Sequence, residues 1–209
     1  MKAPPLDPIY YKLMESDPKT WPLAKLQILN AFFGALADEG VENVNLEKLA
    51  KKLGMARSHV AYYFKNRELL HKDAMSFIAF TAQQITMAVW EAAPAGQKTR
   101  AIVNGAFAWA ERLPEHAVAF GLLQYYASFR PAYRGLLTKI RGEGRKRLAG
   151  SMALDRPSLL KDQPRLEARA LRMQLLISAY LTEALTTGLF ASLAEARQAC
   201  LDACEEGLG

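Results

Sequence analysis

Three observations predict an all-α chain. Apolar residues recur at spacings of three and four over most of the sequence, period-two alternation is almost absent, and Pro and Gly fall mainly between the periodic runs. A length near 200 allows either one large domain or a small domain joined to a larger one. With 209 residues, 51% of them hydrophobic and 23% charged, a substantial core is affordable without staples. Two cysteines exclude a disulfide scaffold. No run approaches the roughly 18 apolar residues of a membrane span, and no basic region followed by an apolar one opens the chain, so a reducing cytoplasm is the expected compartment. The net charge of +6 permits an anionic partner but means little until the charges are placed.

Residues 1–20 are spaced by prolines and read as an arm, with a short helix expected around Ile9–Glu15. The first full helix is expected from Thr20–Pro22 to Gly40, with Thr20 capping it and Pro22 in its first turn. Its expected apolar face is Leu26, Leu29, Phe33, Leu36 and Ala37. Two short helices, Asn45–Leu53 and Ala56–Tyr63, flank Gly54, and a long one should run from Asn66 to about Trp90. Beyond Pro94 and Gly96, helices are expected over 97–112, 115–129 and 132–152, set off by Pro114 and Pro131. Residues 154–164 read as a loop. Helices over 165–187 and 192–206 follow, the latter opened by Ser192 and Glu195 at capping-box spacing.

The segment 45–64 carries a helix-turn-helix pattern. Two helices crossing steeply over a short turn need a small residue at their closest approach, a glycine in the turn, and an apolar inner side on the second helix. Ala50, Gly54 and Val60 take those positions, and Leu46, Leu49, Leu53 and Phe64 complete the inner side. Arg57, Ser58, His59, Tyr62 and Tyr63 remain outward. They are donors, acceptors and aromatic edges, suited to a helix that enters a major groove. Between Val44 and Lys72 seven Lys or Arg face two acids, a local charge of +5. Such cations, with the helix N-termini capped by Asn45 and Asn66, are what phosphates require.

Residues 22–70 resemble the N-terminal DNA-binding domain of TetR-type (tetracycline-repressor-like) transcriptional regulators. The resemblance lies in Ile28-Leu29-Asn30-Ala31, Gly40, Leu49-Ala50, Gly54 and the run Tyr63-Phe64-Lys65-Asn66-Arg67-Glu68-Leu69-Leu70. It implies that Asn45 stands where a Ser or Thr usually caps a helix and touches a phosphate. It implies that Arg57, Ser58 and His59 face base edges, that Tyr62 and Tyr63 touch backbone or bases, and that Lys65 and Arg67 lie beside a phosphate. Ala61 departs from the family, where a Tyr is common, so that phosphate contact is missing and falls to Tyr62. The domains it implies are an arm over 1–20, a helix-turn-helix domain over 21–68, and a helical effector-binding and dimerisation domain over 69–209.

The larger half has no motif of its own. The resemblance implies that it dimerises through its last two long helices and encloses an effector pocket. Leu175, Leu176, Ala179, Leu185 and Leu189, with the small Ser178, Ala184 and Thr187, suit a four-helix seam between two subunits or an internal core. Phe107, Trp109, Phe120, Gln124, Tyr125, Phe129, Met173 and Tyr180 interleave aromatic faces with polar tips, as small-molecule sites do and as cores also do. No buried charge is legible there, which favours a flat or apolar effector. From Arg130 to Arg147 seven cations oppose only Glu143, a solvated face or a second surface for an acidic partner, with a break expected at Gly142 and Gly144. Cys200 and Cys204 share a helix face, but two thiols make an incomplete metal site, so buried apolar thiols are expected and neither metal nor cofactor is.

An enzyme is not expected. The chain has no glycine-rich phosphate loop, no nucleophile elbow, no pair of metal ligands on a helix, and only three histidines. The reading that remains is a homodimeric, sequence-specific DNA-binding regulator, in such proteins most often a repressor, acting on a near-palindromic operator under control of a small-molecule effector. The alternative is a helical adaptor or architectural nucleic-acid-binding protein without an effector.

Overall fold

A computed structural model describes residues 20–40 and 43–206 of the chain. The helix expected around Ile9–Glu15, with the rest of the arm before Thr20, lies outside the described residues. Nine α-helices and no strand occur among the described residues. They are α1 (Leu23–Glu39), α2 (Leu46–Leu53), α3 (Arg57–Tyr63), α4 (Arg67–Ala92), α5 (Lys98–Arg112), α6 (Pro114–Ala127), α7 (Pro131–Asp155), α8 (Gln163–Thr186) and α9 (Leu193–Glu206). The chain forms two compact units, one from the residues up to Phe80 with Glu115–Ile140, the other from Thr81–Pro114 with the chain from Arg141 onward. Helices α4 and α7 each contribute residues to both.

In the first unit, α1 starts one residue later than expected. Pro22 is its N-cap, with extended backbone at ψ 142°, and no side chain caps the helix, so Thr20 does not take that role. Its buried face is Ile28, Leu29, Phe32, Phe33, Ala35 and Leu36, while Ala37 is exposed. Paired positions i and i+1 are buried because the helix is enclosed over a wider arc than a single stripe needs. The core continues through Leu49, Ala50, Val60, Phe64, Leu70, Met75, Ile78 and Leu123. Two histidines lie inside it, both nearly inaccessible to solvent. The His116 ring lies 4.2 Å from that of Phe33 and 5.9 Å from that of Phe77. The His71 ring packs against Phe32 at 5.4 Å, Tyr126 at 6.0 Å and Tyr133 at 5.7 Å. These contacts tie α1, α4, α6 and the start of α7 into one core. At its edge Lys25 bridges to Asp73 at 2.8 Å and sits over the Trp21 ring.

In the second unit the core joins Met87, Trp90, Phe107, Leu148, Met152, Leu166, Met173 and Leu201. Cys200 and Cys204 are free, buried members of that core, and among the described residues no group of three metal-ligating side chains forms. Helix ends here are satisfied from afar. No side chain beside α5 caps it; instead the Asp155 carboxylate accepts from the N–H groups of Lys98 at 3.0 Å and Thr99 at 2.7 Å. The Lys98 ammonium in turn donates to the carbonyls of Trp90 and Ala93, each at 2.8 Å, closing the end of α4 as a cation suits a helix C-terminus. Trp90 Nε1 donates to Ser151 Oγ at 2.9 Å. Ser192 caps α9 through the Glu195 N–H at 3.2 Å, and Glu195 reaches back to the Ala191 N–H at 2.7 Å.

Two expectations fail in this unit. Helix α7 runs unbroken through Gly142 and Gly144, although interior glycines cost about 1 kcal/mol each. Gly144 has a compensating use, since a Cβ there would lie 3.1 Å from the Gln174 amide, which donates to the Arg141 carbonyl at 2.8 Å. The segment expected as a plain loop contains a 3₁₀ turn over Pro157–Lys161.

Packing of α4 on α5 rests on Gly105, where a Cβ would meet the Thr86 Cα at 2.6 Å. Gly105→Ala should therefore lose about 1–3 kcal/mol in urea unfolding as backbones are forced apart, whereas Gly121→Ala, with open space around it, should be neutral or stabilising. Equal stability of the two variants would contradict the close approach. Burial lowers the pKa of His71 from 6.5 to about 4, with the Arg67 charge adding to the effect, and burial does the same for His116 against the opposing charge of Glu115. Between these values the unfolded chain binds protons that the folded one does not, so stability is complete above about pH 6.5 and falls as pH drops towards 4. Denaturant midpoints across that range should show the decline, and His116→Phe should reduce it; a flat profile would mean the imidazoles are solvated.

Candidate nucleic-acid interface

The hairpin is built by local chemistry. Asn45, extended at φ −140°, accepts the Lys48 N–H at 2.9 Å and so opens α2. Gly54 closes it at φ 62°, a left-handed conformation that glycine adopts without penalty, and its N–H together with that of Met55 satisfies the carbonyls of Lys51 and Ala50. Leu49, Ala50, Val60 and Phe64 are buried, and Leu46 and Leu53 partly so. That inner side orients α3 and leaves its opposite face open. Asn66 then accepts the Leu69 N–H at 2.8 Å and starts α4 beside the end of α3.

Arg57, Ser58, His59 and Tyr62 are all exposed on α3, and Tyr63 is half-buried. His59 and Tyr63 rings lie 5.6 Å apart, and Tyr62 meets Tyr63 edge-on at 5.0 Å. Tyr63 is thus wedged between its neighbours, whereas Tyr62, apart from that edge contact, is 77% exposed. Arg57 reaches back to Glu47 at 3.8 Å, with both side chains more than three-quarters exposed. A pair so loose and so wet is worth little, so the guanidinium can leave it for a base edge at small cost. Lys65 is exposed; Arg67 is half-buried, its Nε donating to His71 Nε2 at 3.4 Å. Of the expected contacts, Arg67 is therefore the most committed to the protein itself.

No protein-family model matches the sequence, and no curated protein does. Solved structures do. A regulator from Saccharomonospora viridis, crystallised in complex with choline, superposes with a TM-score of 0.75 at 17% identity, over 87% of this chain and 95% of that one. A TetR-family regulator from a Rhodococcus species gives 0.75 at 18% identity over 88% and 98%, and one from Haloarcula marismortui 0.72 at 15% over 88% and 97%. This chain has the TetR-type fold. That fold is an N-terminal helix-turn-helix followed by a larger set of helices, and α3 is the second helix of the hairpin.

The eight residues expected around an effector divide four and four between the compact units of the TetR-type fold. Phe107 and Met173 are buried in the second unit's core, Trp109 is buried, and Tyr180 is half-buried with its ring 5.7 Å from that of Phe190. In the first unit Phe120 and Gln124 are half-buried, while Tyr125 and Phe129 are exposed and meet edge-on at 5.1 Å. Sequence reading missed two things. One is the seat of His71 beneath Arg67; the other is Arg141, half-buried and donating to Ser178 Oγ at 3.1 Å, with burial holding its pKa below the usual arginine range.

On a bound duplex this geometry predicts two separable effects. Arg57→Ala should relax base preference at one position of each half-site, at a cost of about 1–3 kcal/mol. Lys65→Ala should weaken binding to all sequences and flatten the salt dependence by about one unit of slope per lost contact. An unchanged slope for the Lys65 variant would remove that side chain from the phosphate contacts.

Proposed function

We propose that this protein is a homodimeric transcriptional regulator that reads a near-palindromic operator with α3 and is controlled by a small molecule bound in its larger helical part. The observation that carries the reading is the outer face of α3, where Arg57, Ser58, His59 and Tyr62 stand exposed on a helix fixed from behind by buried Val60 and Phe64. A face of that chemistry matches the donors and acceptors of a major groove. Two copies would set their α3 helices about 34–36 Å apart, one turn of duplex. Repression by occupancy of the operator is the mode we favour, and no catalytic role is proposed.

Dimerisation is supported by α8. Leu166, Ala170, Met173 and Ile177 face inward, and the opposite side exposes Leu171, Leu175 and Ala179 along one stripe. An unpartnered apolar stripe on a long helix fits the seam of a four-helix interface between subunits. An effector acts only through different affinities for two states of the dimer, and α4, which contributes residues to both compact units, is the element we assign to carry that difference. The choline held by the Saccharomonospora neighbour supports a small-molecule effector in this architecture, and Phe107, Trp109, Met173 and Tyr180 are the second-unit candidates to meet one. Among the described residues no helix is long and apolar enough to cross a membrane.

Selection of bound sequences from random duplexes at physiological salt tests the reading. A palindromic motif should emerge, bound by a species of twice the chain mass; salt-sensitive binding without enrichment would instead indicate an architectural protein. Leu175→Glu should shift the mass to one chain while helicity is retained, and operator affinity should fall at least tenfold. A variant that stays dimeric would place the interface elsewhere.

A further inference from the structure

The DNA-binding unit carries a cationic turn that the hairpin does not include. Between α6 and α7 the chain passes through Ser128, Phe129 and Arg130, and this turn is docked on the beginning of α4 through the His71 ring, which touches Tyr126 on one side of the turn and Tyr133 on the other. The turn is also closed from within. Arg130 N–H donates to the Tyr126 carbonyl at 3.2 Å, and its own carbonyl accepts from Tyr133 and Arg134, each at 3.0 Å. The Arg134 guanidinium donates to the last carbonyl of α6, that of Ala127 at 3.3 Å, and to the Ser128 carbonyl of the turn at 2.7 Å. Arg134 is thus a clasp, and Arg130 is what the clasp presents.

The Arg130 side chain is exposed and makes no side-chain hydrogen bond or ion pair among the described residues. Its neighbours are cationic as well. Burial foremost, and then the Glu68 charge, raise the Tyr133 pKa, while the charges of Arg130, Lys72 and Arg67 oppose the rise. The single acid among them, Glu68, is already engaged by Lys72 at 2.8 Å. A surplus of positive charge is left beside the first turns of α4, the helix that begins at Arg67, just after Lys65 and Asn66. Repulsion among such charges is unfavourable in the free protein and is relieved by a polyanion. The rest of the basic run behaves differently. Arg141 is held by Ser178 and Lys146 by Glu143, both in the second unit, so the run from 130 to 147 is not one uniform solvated face.

We propose that Arg130, presented by the clasped α6–α7 turn, is a second phosphate contact of the DNA-binding unit, extending its footprint beyond the hairpin to backbone next to the phosphates met at the start of α4. The proposal rests on the duplex-binding reading above. It assigns Arg130 to affinity and leaves base preference to α3, because a phosphate contact carries no direct sequence information.

The test uses the full chain and the duplex that the wild type enriches. Affinity is followed against salt for wild type, Arg130→Gln and Arg130→Lys, with phosphate-ethylation interference mapped for each. Arg130→Gln should bind several-fold more weakly at physiological salt, with the salt slope reduced by about 0.9 per lost contact. One interference site per half-site should vanish, base preference should not change, and Arg130→Lys should restore most of the slope. Wild-type interference sites confined to those that Arg130→Gln retains, with equal slopes, would overturn the proposal while leaving the regulator reading intact. Failure of the wild type to enrich any duplex would overturn the reading itself, and the contact with it.

Discussion

The structure depends on the closure of a steep two-helix corner against a core, and Gly54 makes that closure possible. A residue with a Cβ would be strained at φ 62°, and without the left-handed cap the carbonyls of Ala50 and Lys51 would lose their N–H partners as the chain reverses. Once the corner is closed, Ala50 and Val60 meet the core and the polar residues of α3 have no choice but to face outward. The chemistry proposed for this protein is thus a consequence of backbone geometry at one glycine and of small or branched apolar residues on either side of it.

Helix α4 carries that arrangement onward. Over 26 residues it holds an Asn66 cap and the buried His71 at its start, and the Lys98 ammonium and Trp90 at its end. Each end is fixed by contacts that are costly to lose, namely a nearly inaccessible imidazole among aromatic rings and a set of carbonyls closed by a cation. The same buried histidines make the first compact unit sensitive to acid, His71 four residues after Arg67, which donates to it, and His116 far from the hairpin in sequence.

How much of this was legible beforehand follows the range of each interaction. Caps and breaks are local, so Asn45, Gly54, Asn66, Pro114 and Pro131 marked helix ends to within a residue or two. The outward set on α3 was legible for the same reason, since a seven-residue helix with one buried valine leaves few alternatives. Long-range partners were not. Nothing near Lys98 announces that Asp155 will cap α5, and nothing near Gly144 announces that Gln174 will fill the space its missing side chain leaves. Thr20 looked like a cap but the backbone placed Pro22 there. The effector candidates were the least legible, because an aromatic side chain at helical spacing looks alike whether it is packed, as Phe107 is, or exposed, as Tyr125 is.

Guanine-N7 methylation protection on a bound duplex tests the central claim most directly, since N7 lies in the major groove and is the acceptor that an arginine reads. The account predicts two protected patches, centred one helical turn apart and placed symmetrically about the middle of the site. Tight binding that leaves every guanine N7 reactive would contradict it, because the exposed face of α3 would then not be in the groove.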